Sequence, residues 1–331
     1  MASSYREELG LRDWRICTLD RMKSDVVETR EPRLQTPALS VIIASYNSSH
    51  SIGQTLESLT LQKCDANFEI IVVDSSDDDA TEGIAESYPR VRLIRAEGRR
   101  YPGEARNIGV SAARGNILAF TDADCLVKPD WVKQHLLIHE SGHGIIGGTV
   151  DNGNPEKLFG WVYYFCKFSL WLPGKSDRYV VEIPTTCLSM KREIFSKYGP
   201  FAEGCYGSDG VFQWRASRTE GKPFLSTRIS VRHQNFWRVS KVLGKLFHHG
   251  RDYAMHRVAD RKWSTTRALF YAASLPLLPL LLHLKFTIRI ASSQVYFLRF
   301  LVMTPLVLAG CCMWAAGESV GYIFYRGDVN E

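Results

Sequence analysis

Apolar runs alternate with amphipathic segments between residues 39 and 122, and this alternation limits the possible folds more than any other feature of the chain. Leu39–Ser45 and Phe68–Asp74 are rich in β-branched residues and have the composition of buried strands. The segment between them, residues 51–61, carries Ile52, Leu56 and Leu59 at helical spacing. Strands that alternate with helices imply right-handed crossovers and a mostly parallel α/β sheet.

The same kind of pattern continues on both sides of residue 122. A strand is predicted to end at Asp122, and further elements follow from the apolar periodicity. The additional predicted strands are residues 91–95, 145–150, 185–190 and 227–232, and the additional predicted helices are residues 81–87, 105–113, 191–198 and 210–219.

Two predicted strands end in carboxylates. Asp122 and Asp124 follow an apolar run, and Asp74 ends the second strand. Open α/β sheets bind ligands at the carboxyl edge of their strands. Oxygen ligands of this kind suit Mg²⁺ or Mn²⁺, which usually share their coordination with substrate phosphates. We therefore expect metal-assisted chemistry on a nucleotide or another diphosphate, although an Asp-X-Asp sequence is also common in solvated loops.

The 331 residues allow one large α/β domain with appendages, or two modest domains. The formal net charge of +6 is unevenly placed, because residues 228–267 are strongly basic and residues 65–86 are acidic. A basic segment beside apolar runs favours an anionic membrane surface over nucleic acid. No zinc-finger spacing, RNA-binding aromatic motif or basic-zipper heptad supports a nucleic-acid partner.

The C-terminal third is predicted to associate with a membrane. Residues 237–262 have the composition of a basic amphipathic interfacial helix. Two uncharged apolar segments follow, Ala268–Leu284 and Phe300–Gly317, near the lower limit of about 17–25 residues for a membrane span. Prolines interrupt both segments, and basic residues lie between them. Spanning helices, re-entrant or shallow insertion, and buried helices of a soluble protein all remain open.

These features predict four regions and a location. The regions are a polar N-terminal arm at residues 1–37, a catalytic domain at 38–236, the amphipathic helix at 237–262 and membrane-associated helices at 263–331. The charged N-terminal segment lacks the apolar core of a signal peptide, and the eight cysteines include no Cys-X-X-Cys pair. We expect the catalytic domain to stay on the cytosolic side of the inner (cytoplasmic) membrane of a bacterium.

Six short motifs occur in a fixed order along the chain. They are Ser45-Tyr46-Asn47, Asp74 with Ser76, Gly103–Gly109 containing Arg106 and Asn107, Thr121-Asp122-Ala123-Asp124, Ser208-Asp209 with Arg215, and His233 after a predicted strand. This ordered set resembles family 2 glycosyltransferases, the inverting GT-A type, over residues 39–233. The segment 314–322 resembles the tail of bacterial membrane-attached members. The resemblance implies a GT-A fold, which is Rossmann-like with a mostly parallel sheet.

The resemblance also implies site residues for a nucleotide-sugar donor. Asp74 would accept the imide N–H of uracil, which favours a UDP-sugar. The other implied nucleotide-binding residues are Ser45, Tyr46, Asn47, Ser76, Arg106, Asn107, Asp122 and Ala123. Asp124 with Asp122 would hold Mn²⁺ or Mg²⁺, and His233 resembles the histidine that completes the metal site in many relatives. Each acid also has a structural alternative as a helix cap or a loop residue.

Asp209 matches the general base of the family, which removes a proton from the acceptor hydroxyl. Its alternative role is the N-cap of the following helix. Candidate acceptor or sugar contacts are Thr186, Cys187, Ser208 and Arg215. Two of these positions depart from the family pattern, because relatives usually carry an acid at the position of Ser208 and often Asn at that of Cys187. The Gln-X-X-Arg-Trp motif of processive synthases is not matched by residues 234–238.

The predicted function is inverting transfer of a single sugar to a hydroxyl of a lipid-linked or membrane-proximal acceptor in cell-surface glycan biosynthesis. One alternative is a polyprenyl-phosphate glycosyltransferase, whose anionic acceptor needs no base. Another is a catalytically inactive membrane scaffold of the same fold. A nucleotidyltransferase is disfavoured because residues 45–51 contain no Gly-rich basic phosphate loop.

Overall fold

A computed structural model describes residues 36–273 and 276–324 of the chain, together with the backbone of residues 26–28. Ten strands form one sheet. The strands are β1 (Val26–Glu28), β2 (Leu39–Ser45), β3 (Phe68–Asp74), β4 (Val91–Ala96), β5 (Ile117–Asp122), β6 (Cys125–Val127), β7 (Ile145–Asn152), β8 (Arg178–Tyr179), β9 (Cys187–Lys191) and β10 (Phe224–His233).

The described residues also form twelve helices, which are numbered here in chain order. They are α1 (Ile52–Thr60), α2 (Ala80–Glu86), α3 (Pro102–Ala112), α4 (Trp131–Glu140), α5 (Leu158–Phe168), α6 (Arg192–Tyr198), α7 (Ser208–Glu220), α8 (Val239–Arg261), α9 (Thr265–Ala273), α10 (Leu278–Ser293), α11 (Phe297–Val302) and α12 (Thr304–Phe324).

The strand order is β1-β4-β3-β2-β5-β9-β7-β10-β6, with β8 paired to β10. β4, β3, β2, β5, β7 and β10 run in one direction, whereas β1, β9, β6 and β8 run against them. The sheet is therefore mostly parallel, and the predicted mixed α/β fold is confirmed. Strands β2 and β5 are neighbours, so the ends that carry Ser45 and Asp122 lie side by side.

Helices cover both faces of the central strands and so explain their apolar composition. Every residue of β3 is buried, as expected of a strand between two helical layers. Helix α3 packs closely on β2 and β3, because a Cβ added at Gly109 would lie 2.5 Å from the Ile42 Cγ2 atom. A methyl group does not fit there, so glycine allows α3 to bring its N-terminus to the carboxyl edge of the sheet.

The predicted bounds of β2 and β3 agree with the structure, and the other predicted elements differ by a few residues at their ends. The sequence pattern did not predict β1, β6, β8, α4 or α5. Strand β1 pairs antiparallel with β4 and lies within the predicted N-terminal arm. The rest of that arm up to residue 35 lies outside the described residues. Strand β6 is only three residues long, and tertiary pairing with β10 rather than local pattern defines it.

Helix α8 packs against both α5 and α12. Its contacts with α12 are close, because a Cβ at Gly250 would lie 2.1 Å from the Trp314 backbone oxygen, and one at Gly317 would lie 2.0 Å from the Phe247 oxygen. Val242, Leu246, Arg251 and Asp252 on α8 are buried. The segment predicted as an interfacial helix therefore buries much of its surface within the protein, and a role at a membrane surface stays a prediction.

The two predicted apolar segments fall on broken helices. Among the described residues, α12 alone is long and apolar enough by itself to cross a membrane. Its most apolar 18-residue stretch has a mean hydropathy of 1.4, and half of this stretch is buried inside the protein. Helices α9 and α10 meet this criterion only as a pair, and they are bent by 77°. Glu318 of α12 is buried, and its carboxylate accepts hydrogen bonds from Trp314 and Tyr322 of the same helix.

Candidate active site

A cavity of about 240 Å³ opens at the carboxyl edge of β2 and β5. Its walls come from the loop after β2, the N-terminus of α3, the end of β5, helix α5, residues 184–186, the start of α7 and helix α8. The structure brings ten of the sixteen predicted site residues to this cavity. They are Ser45, Tyr46, Arg106, Asp122, Ala123, Asp124, Thr186, Ser208, Asp209 and His233.

A group of potential metal ligands lies where β5 ends. Asp122, Asp124, Cys125 and His233 each offer one ligand atom, and these atoms lie within 4.8 Å of one another. His233 Nε2 lies 3.4 Å from Asp124 Oδ1, while its Nδ1 lies 3.0 Å from the side-chain oxygen of Asn235. The contact with Asn235 fixes the ring so that Nε2 points toward Asp124.

This donor set fits a hard divalent cation. Carboxylate oxygens with an imidazole nitrogen suit Mn²⁺ and Mg²⁺ better than a soft metal. Cys125 is less suitable as a ligand, because burial and the nearby Asp124 and Asp122 raise the pKa of its thiol well above the usual value. Asp124 and His233 are therefore the residues best placed to hold a metal.

Asp122 is held by two partners that are distant in sequence. Arg106 Nη2 donates to its Oδ1 at 2.6 Å, and Thr186 Oγ1 donates to its Oδ2 at 2.7 Å. Burial disfavours the charged form of Asp122, but Arg106, His233 and Thr186 outweigh this effect and lower its pKa. Burial raises the pKa of Asp124, with His233 opposing. The two carboxylates thus occupy different electrostatic environments.

Asp209 lies at the start of α7 and faces the same cavity. Its Oδ2 accepts hydrogen bonds from the backbone N–H of Thr185 at 3.0 Å and from the hydroxyl of Thr185 at 3.2 Å. The adjacent Thr186 contacts Asp122, so a two-residue segment connects the predicted base with the predicted metal site. Asp209 is not the N-cap residue of α7, because that position is Gly207, with a φ of 75°.

Asp74 lies at the end of β3 but does not line the cavity. It is fully buried, and Arg95 of β4 forms an ion pair with its Oδ2 while the Ser76 hydroxyl donates to its Oδ1 at 2.6 Å. Arg95 also contacts Asp79 at 3.1 Å. Arg95 was missed in the sequence analysis, although the register of two adjacent parallel strands pairs it with Asp74.

The loop after β2 connects to the loop after β3 through polar contacts. The Asn47 backbone N–H donates to Ser76 Oγ at 2.7 Å, and the Tyr46 hydroxyl donates to Asp77 at 2.8 Å. Asn47 has a φ of 52°, a left-handed conformation that Asn tolerates better than most residues. Tyr46 lines the cavity, whereas Asn47 and Ser76 support the loop from outside it.

Three further predicted residues lie outside the cavity and make structural contacts. Asn107 bonds to both backbone groups of Phe201, at 3.0 and 2.9 Å. Arg215 donates to the Pro200 oxygen at 2.8 Å. Cys187 is buried in β9, and burial raises the pKa of its thiol to about 12. Substrate contacts from these three positions stay predictions.

The cavity also contains residues that the sequence analysis did not assign. Lys167 comes from α5, and Lys245 and His249 come from α8. Lys245 Nζ donates to the Tyr206 hydroxyl at 2.8 Å, and the Tyr163 hydroxyl lies 3.4 Å from His249 Nε2. The helical positions of these residues gave no local signal, because their role depends on how α5 and α8 pack against the sheet.

Comparisons with known proteins agree with this geometry. Residues 40–199 match the family described as Glycosyl transferase family 2. The chain is 41% identical over 107 residues to putative glycosyltransferase EpsH of Bacillus subtilis strain 168, which covers 31% of this chain and 30% of that protein. It is 38% identical over 102 residues to succinoglycan biosynthesis protein ExoO of Rhizobium meliloti strain 1021, covering 30% and 29%. The aligned part thus spans less than a third of each relative.

A solved structure resembles nearly the whole chain. Mannosyltransferase PcManGT from Pyrobaculum calidifontis, in complex with GDP-Man and Mn²⁺, superimposes with a TM-score of 0.58 over 98% of this chain and 95% of that one, at 16% identity. At this identity the likeness concerns the fold, which is GT-A-like. The family match covers 160 of the 331 residues, at residues 40–199, and the superposition extends the likeness in fold to nearly the whole chain.

Proposed function

We propose that the protein is an inverting, metal-dependent glycosyltransferase that moves one sugar from a nucleotide-sugar donor to an acceptor hydroxyl. The observation that carries the proposal is the shared cavity of Asp209 and the ligand group Asp122, Asp124 and His233. The Thr185-Thr186 segment contacts Asp209 on one side and Asp122 on the other. A single displacement on a sugar diphosphate requires a base and a diphosphate-binding group at fixed positions relative to each other.

Asp209 is the base of the proposed reaction. Its carboxylate takes the proton of the acceptor hydroxyl while the hydroxyl oxygen bonds to the anomeric carbon. The bond from that carbon to the donor diphosphate breaks on the opposite face, and the configuration inverts. The two hydrogen bonds from Thr185 orient one carboxylate oxygen, which keeps the base in a fixed position as the proton moves.

Negative charge develops on the departing nucleoside diphosphate. A divalent cation held by Asp124 and His233 would neutralise part of this charge as a Lewis acid. Arg99, Lys167 and Lys245 also line the cavity and supply fixed positive charge there. Asp122 contributes indirectly, because its contacts with Arg106 and Thr186 set the shape of the site beside Asp124.

A UDP-sugar is the favoured donor. Asp74 and Arg95 offer an acceptor and a donor side by side, which is complementary to the imide edge of uracil. Binding of uracil by Asp74 and Arg95 requires their ion pair to open, because Arg95 and Ser76 occupy the carboxylate oxygens of Asp74. PcManGT carries GDP-Man in its structure, so GDP-sugars belong in the same assay.

The acceptor is proposed to be lipid-linked or close to the inner membrane, in the assembly of a cell-surface glycan. ExoO is named for succinoglycan biosynthesis, a polysaccharide pathway. The apolar C-terminal helices are consistent with work at a lipid surface. A second candidate is transfer to a polyprenyl phosphate, which Lys167 and Lys245 favour because an anionic acceptor would find two ammonium groups in the cavity.

The deciding experiment is release of nucleoside diphosphate from a panel of UDP-, GDP- and dTDP-sugars by the full-length protein. It is run with Mn²⁺, with Mg²⁺ and with EDTA, with acceptor lipid extracts present. Asp124→Ala and Asp209→Asn are compared with Asp65→Asn, a matched control at an exposed loop residue. We expect metal-dependent turnover of one donor, loss of that turnover in Asp124→Ala, and an unchanged rate in Asp65→Asn.

Asp209→Asn separates the candidate functions. Loss of about 10²–10⁴-fold in kcat with donor binding retained supports a hydroxyl acceptor, because the base is then required. Near-parent turnover with polyprenyl phosphate supports the second candidate. Absence of both donor binding and turnover for every donor and metal would contradict the transferase and favour an inactive scaffold.

A further inference from the structure

Helices α10 and α11 expose an apolar surface that the described residues, 36–273 and 276–324, leave uncovered. On α10 the exposed side chains are Leu280, Leu281, Leu284 and Ile288, preceded by Leu277, with exposed fractions from 51% to 62%. Their spacing of three, four, seven and eleven residues from Leu277 places them on one face of the helix. On α11 the exposed side chains are Leu298, Leu301 and Val302, at 78%, 46% and 82%. We call these eight residues the apolar platform.

The opposite face of α10 is buried in the protein. Pro279, Phe286, Ile290 and Ser293 of α10 are buried and follow the complementary spacing. Helix α10 is therefore apolar on two sides, of which one joins the core and the other faces outward. An outward apolar stripe of this size is not needed for folding and marks an interaction surface.

The charge of this region shows which partner the apolar platform fits. Residues 261–317 contain no Asp or Glu, while six Lys or Arg residues lie among them. Arg267, Lys285 and Arg299 are exposed. Exposed apolar side chains with basic residues beside them, in a segment that contains no acidic residue, are complementary to a bilayer with anionic headgroups. An acidic protein partner would be recognised through the basic residues alone, and the adjacent exposed leucines would then have no role.

The helix lengths and packing indicate that the protein enters the bilayer from one side. Helix α10 has 16 residues, about 24 Å, which is shorter than the hydrocarbon core of about 30 Å. Helix α12 has sufficient length, but its Gly317 and Gly321 contact α8 closely. The buried Arg251–Asp252 ion pair of α8, with a separation of 2.8 Å, lies in this same packing region. Lipid cannot surround α12 while α8 occupies this side.

We propose that the apolar platform of α10 and α11 docks the protein on the anionic surface of a membrane and inserts into one leaflet without crossing it. Its link to the acceptor rests on the proposed function, since a lipid-linked acceptor would reach the cavity from this surface. Helix α8 lines the cavity with Lys245 and His249 and also packs against α12. The membrane-facing helices and the active site thus belong to one packed unit.

Flotation of the full-length protein with vesicles tests the docking without any donor or acceptor. Vesicles of phosphatidylcholine are compared with vesicles that also contain phosphatidylglycerol, at low and high salt. We expect flotation with the anionic vesicles, weakened by salt. The double variant Leu280→Asp/Leu284→Asp should lower the partition coefficient at least about tenfold. The matched double variant Leu61→Asp/Leu158→Asp changes leucines of the catalytic domain that are 66% and 56% exposed and should float like the parent.

A charge variant provides a second, independent test. Lys285→Glu should lower partition to anionic vesicles about tenfold, because it reverses one charge near the headgroups. Lys222→Glu reverses an exposed charge in the catalytic domain and should leave partition unchanged. Thermal unfolding of each variant confirms that it is folded. Equal flotation of the leucine variant and the parent would overturn the proposal.

Two other results would also overturn one-sided docking. The first is retention of the protein in membranes after alkaline carbonate treatment, together with a C-terminal tag that resists protease added on the cytosolic side. Both observations together would indicate a helix that spans the membrane. The second is a dimer in solution that Leu280→Asp/Leu284→Asp converts to a monomer, because a second copy would then cover the apolar platform. Donor turnover is measured separately in detergent, so a failure of docking leaves the proposed transferase intact.

Discussion

Thr186 contacts Asp122 and follows the residue that contacts Asp209, which makes it a positioning residue for both halves of the site. It is buried, and its hydroxyl donates to Asp122 at 2.7 Å. We predict that Thr186→Val lowers kcat about tenfold, because the variant removes one hydrogen bond to a charged group and keeps the side-chain shape.

The test is steady-state kinetics of donor turnover. Thr186→Ser keeps the hydroxyl and should restore most of the rate, whereas the donor KM should change little in both variants. A Thr186→Val enzyme with unchanged kcat would mean that Arg106 alone positions Asp122.

A buried histidine pair next to β9 makes stability depend on pH. His139 Nδ1 lies 2.9 Å from the His143 carbonyl and must donate to it, so its Nε2 accepts from the Ser189 hydroxyl at 2.8 Å. His135 Nδ1 lies 2.7 Å from the same hydroxyl oxygen and must then donate to it. The network uses each hydrogen once, and it requires the His139 ring to be neutral because its Nε2 must accept.

Burial lowers the pKa of His139 to about 4, with Lys191 and His143 nearby, and burial lowers that of His135 well below its usual value. The folded state therefore binds fewer protons than the unfolded state. The stabilisation is complete above the unfolded pKa of about 6.5 and is lost as pH falls from there toward 4. We predict that Tm falls between pH 7 and pH 5, because the free energy of unfolding decreases by up to about 1.4 kcal/mol per pH unit for each histidine.

Thermal unfolding across this pH range measures the effect. His139→Phe should lower Tm at neutral pH but reduce the dependence on pH, because the titrating group is gone. His50→Gln, at an exposed position, should keep the slope of the parent. A parent protein with a flat profile would contradict the prediction.

At the scale of elements, the contact between α8 and α12 depends on glycine. A Cβ at Gly250 would lie 2.1 Å from a backbone oxygen of α12, whereas a Cβ at Gly244 on the same helix meets no atom within 4 Å. We predict that Gly250→Ala destabilises the protein by about 1–3 kcal/mol, because the helices must move apart. Gly244→Ala should stabilise it by about 0.4–1 kcal/mol through the unfolded state.

Both variants are compared with the parent by chemical or thermal unfolding in the same detergent. The two variants are expected to change the free energy of unfolding in opposite directions, whereas helix propensity alone would predict an increase in both. A gain in Gly250→Ala would show that α8 and α12 are not in close contact in solution.

At the scale of the whole molecule, the cavity depends on segments from residue 44 to residue 249. Ligand binding should therefore stabilise the complete fold. We predict that UDP with Mn²⁺ at about 100 times its dissociation constant adds about 2.7 kcal/mol to the free energy of unfolding. EDTA should remove the metal-dependent part of this gain.

Asp124→Ala provides the control for that measurement, because it should abolish the metal-dependent rise in Tm without unfolding the protein. A rise that is equal with and without EDTA would indicate that nucleotide binds without metal. A rise with GDP in place of UDP would change the proposed donor and leave the site unchanged.

Local patterns in the chain are sufficient to predict the parallel sheet and the acids at its edge. The runs Leu39–Ser45 and Phe68–Asp74 are each apolar at five of seven positions, as expected of strands that are covered on both faces. A local pattern of this kind needs no long-range information. The parallel topology then brought Ser45 and Asp122 to one edge. The order of the motifs also predicted Asp209 and His233 as site residues, and both line the same cavity as Asp124.

The surroundings of these residues depend on long-range packing, which no local pattern predicts. The pairing of Arg95 with Asp74, the contact of Thr186 with Asp122, and the entry of Lys167, Lys245 and His249 into the cavity all join segments far apart in the chain. The same holds for α8, whose composition suits a membrane surface but whose glycine contacts with α12 bury one side. Periodicity specifies that a helix has an apolar face, whereas long-range packing determines what that face contacts.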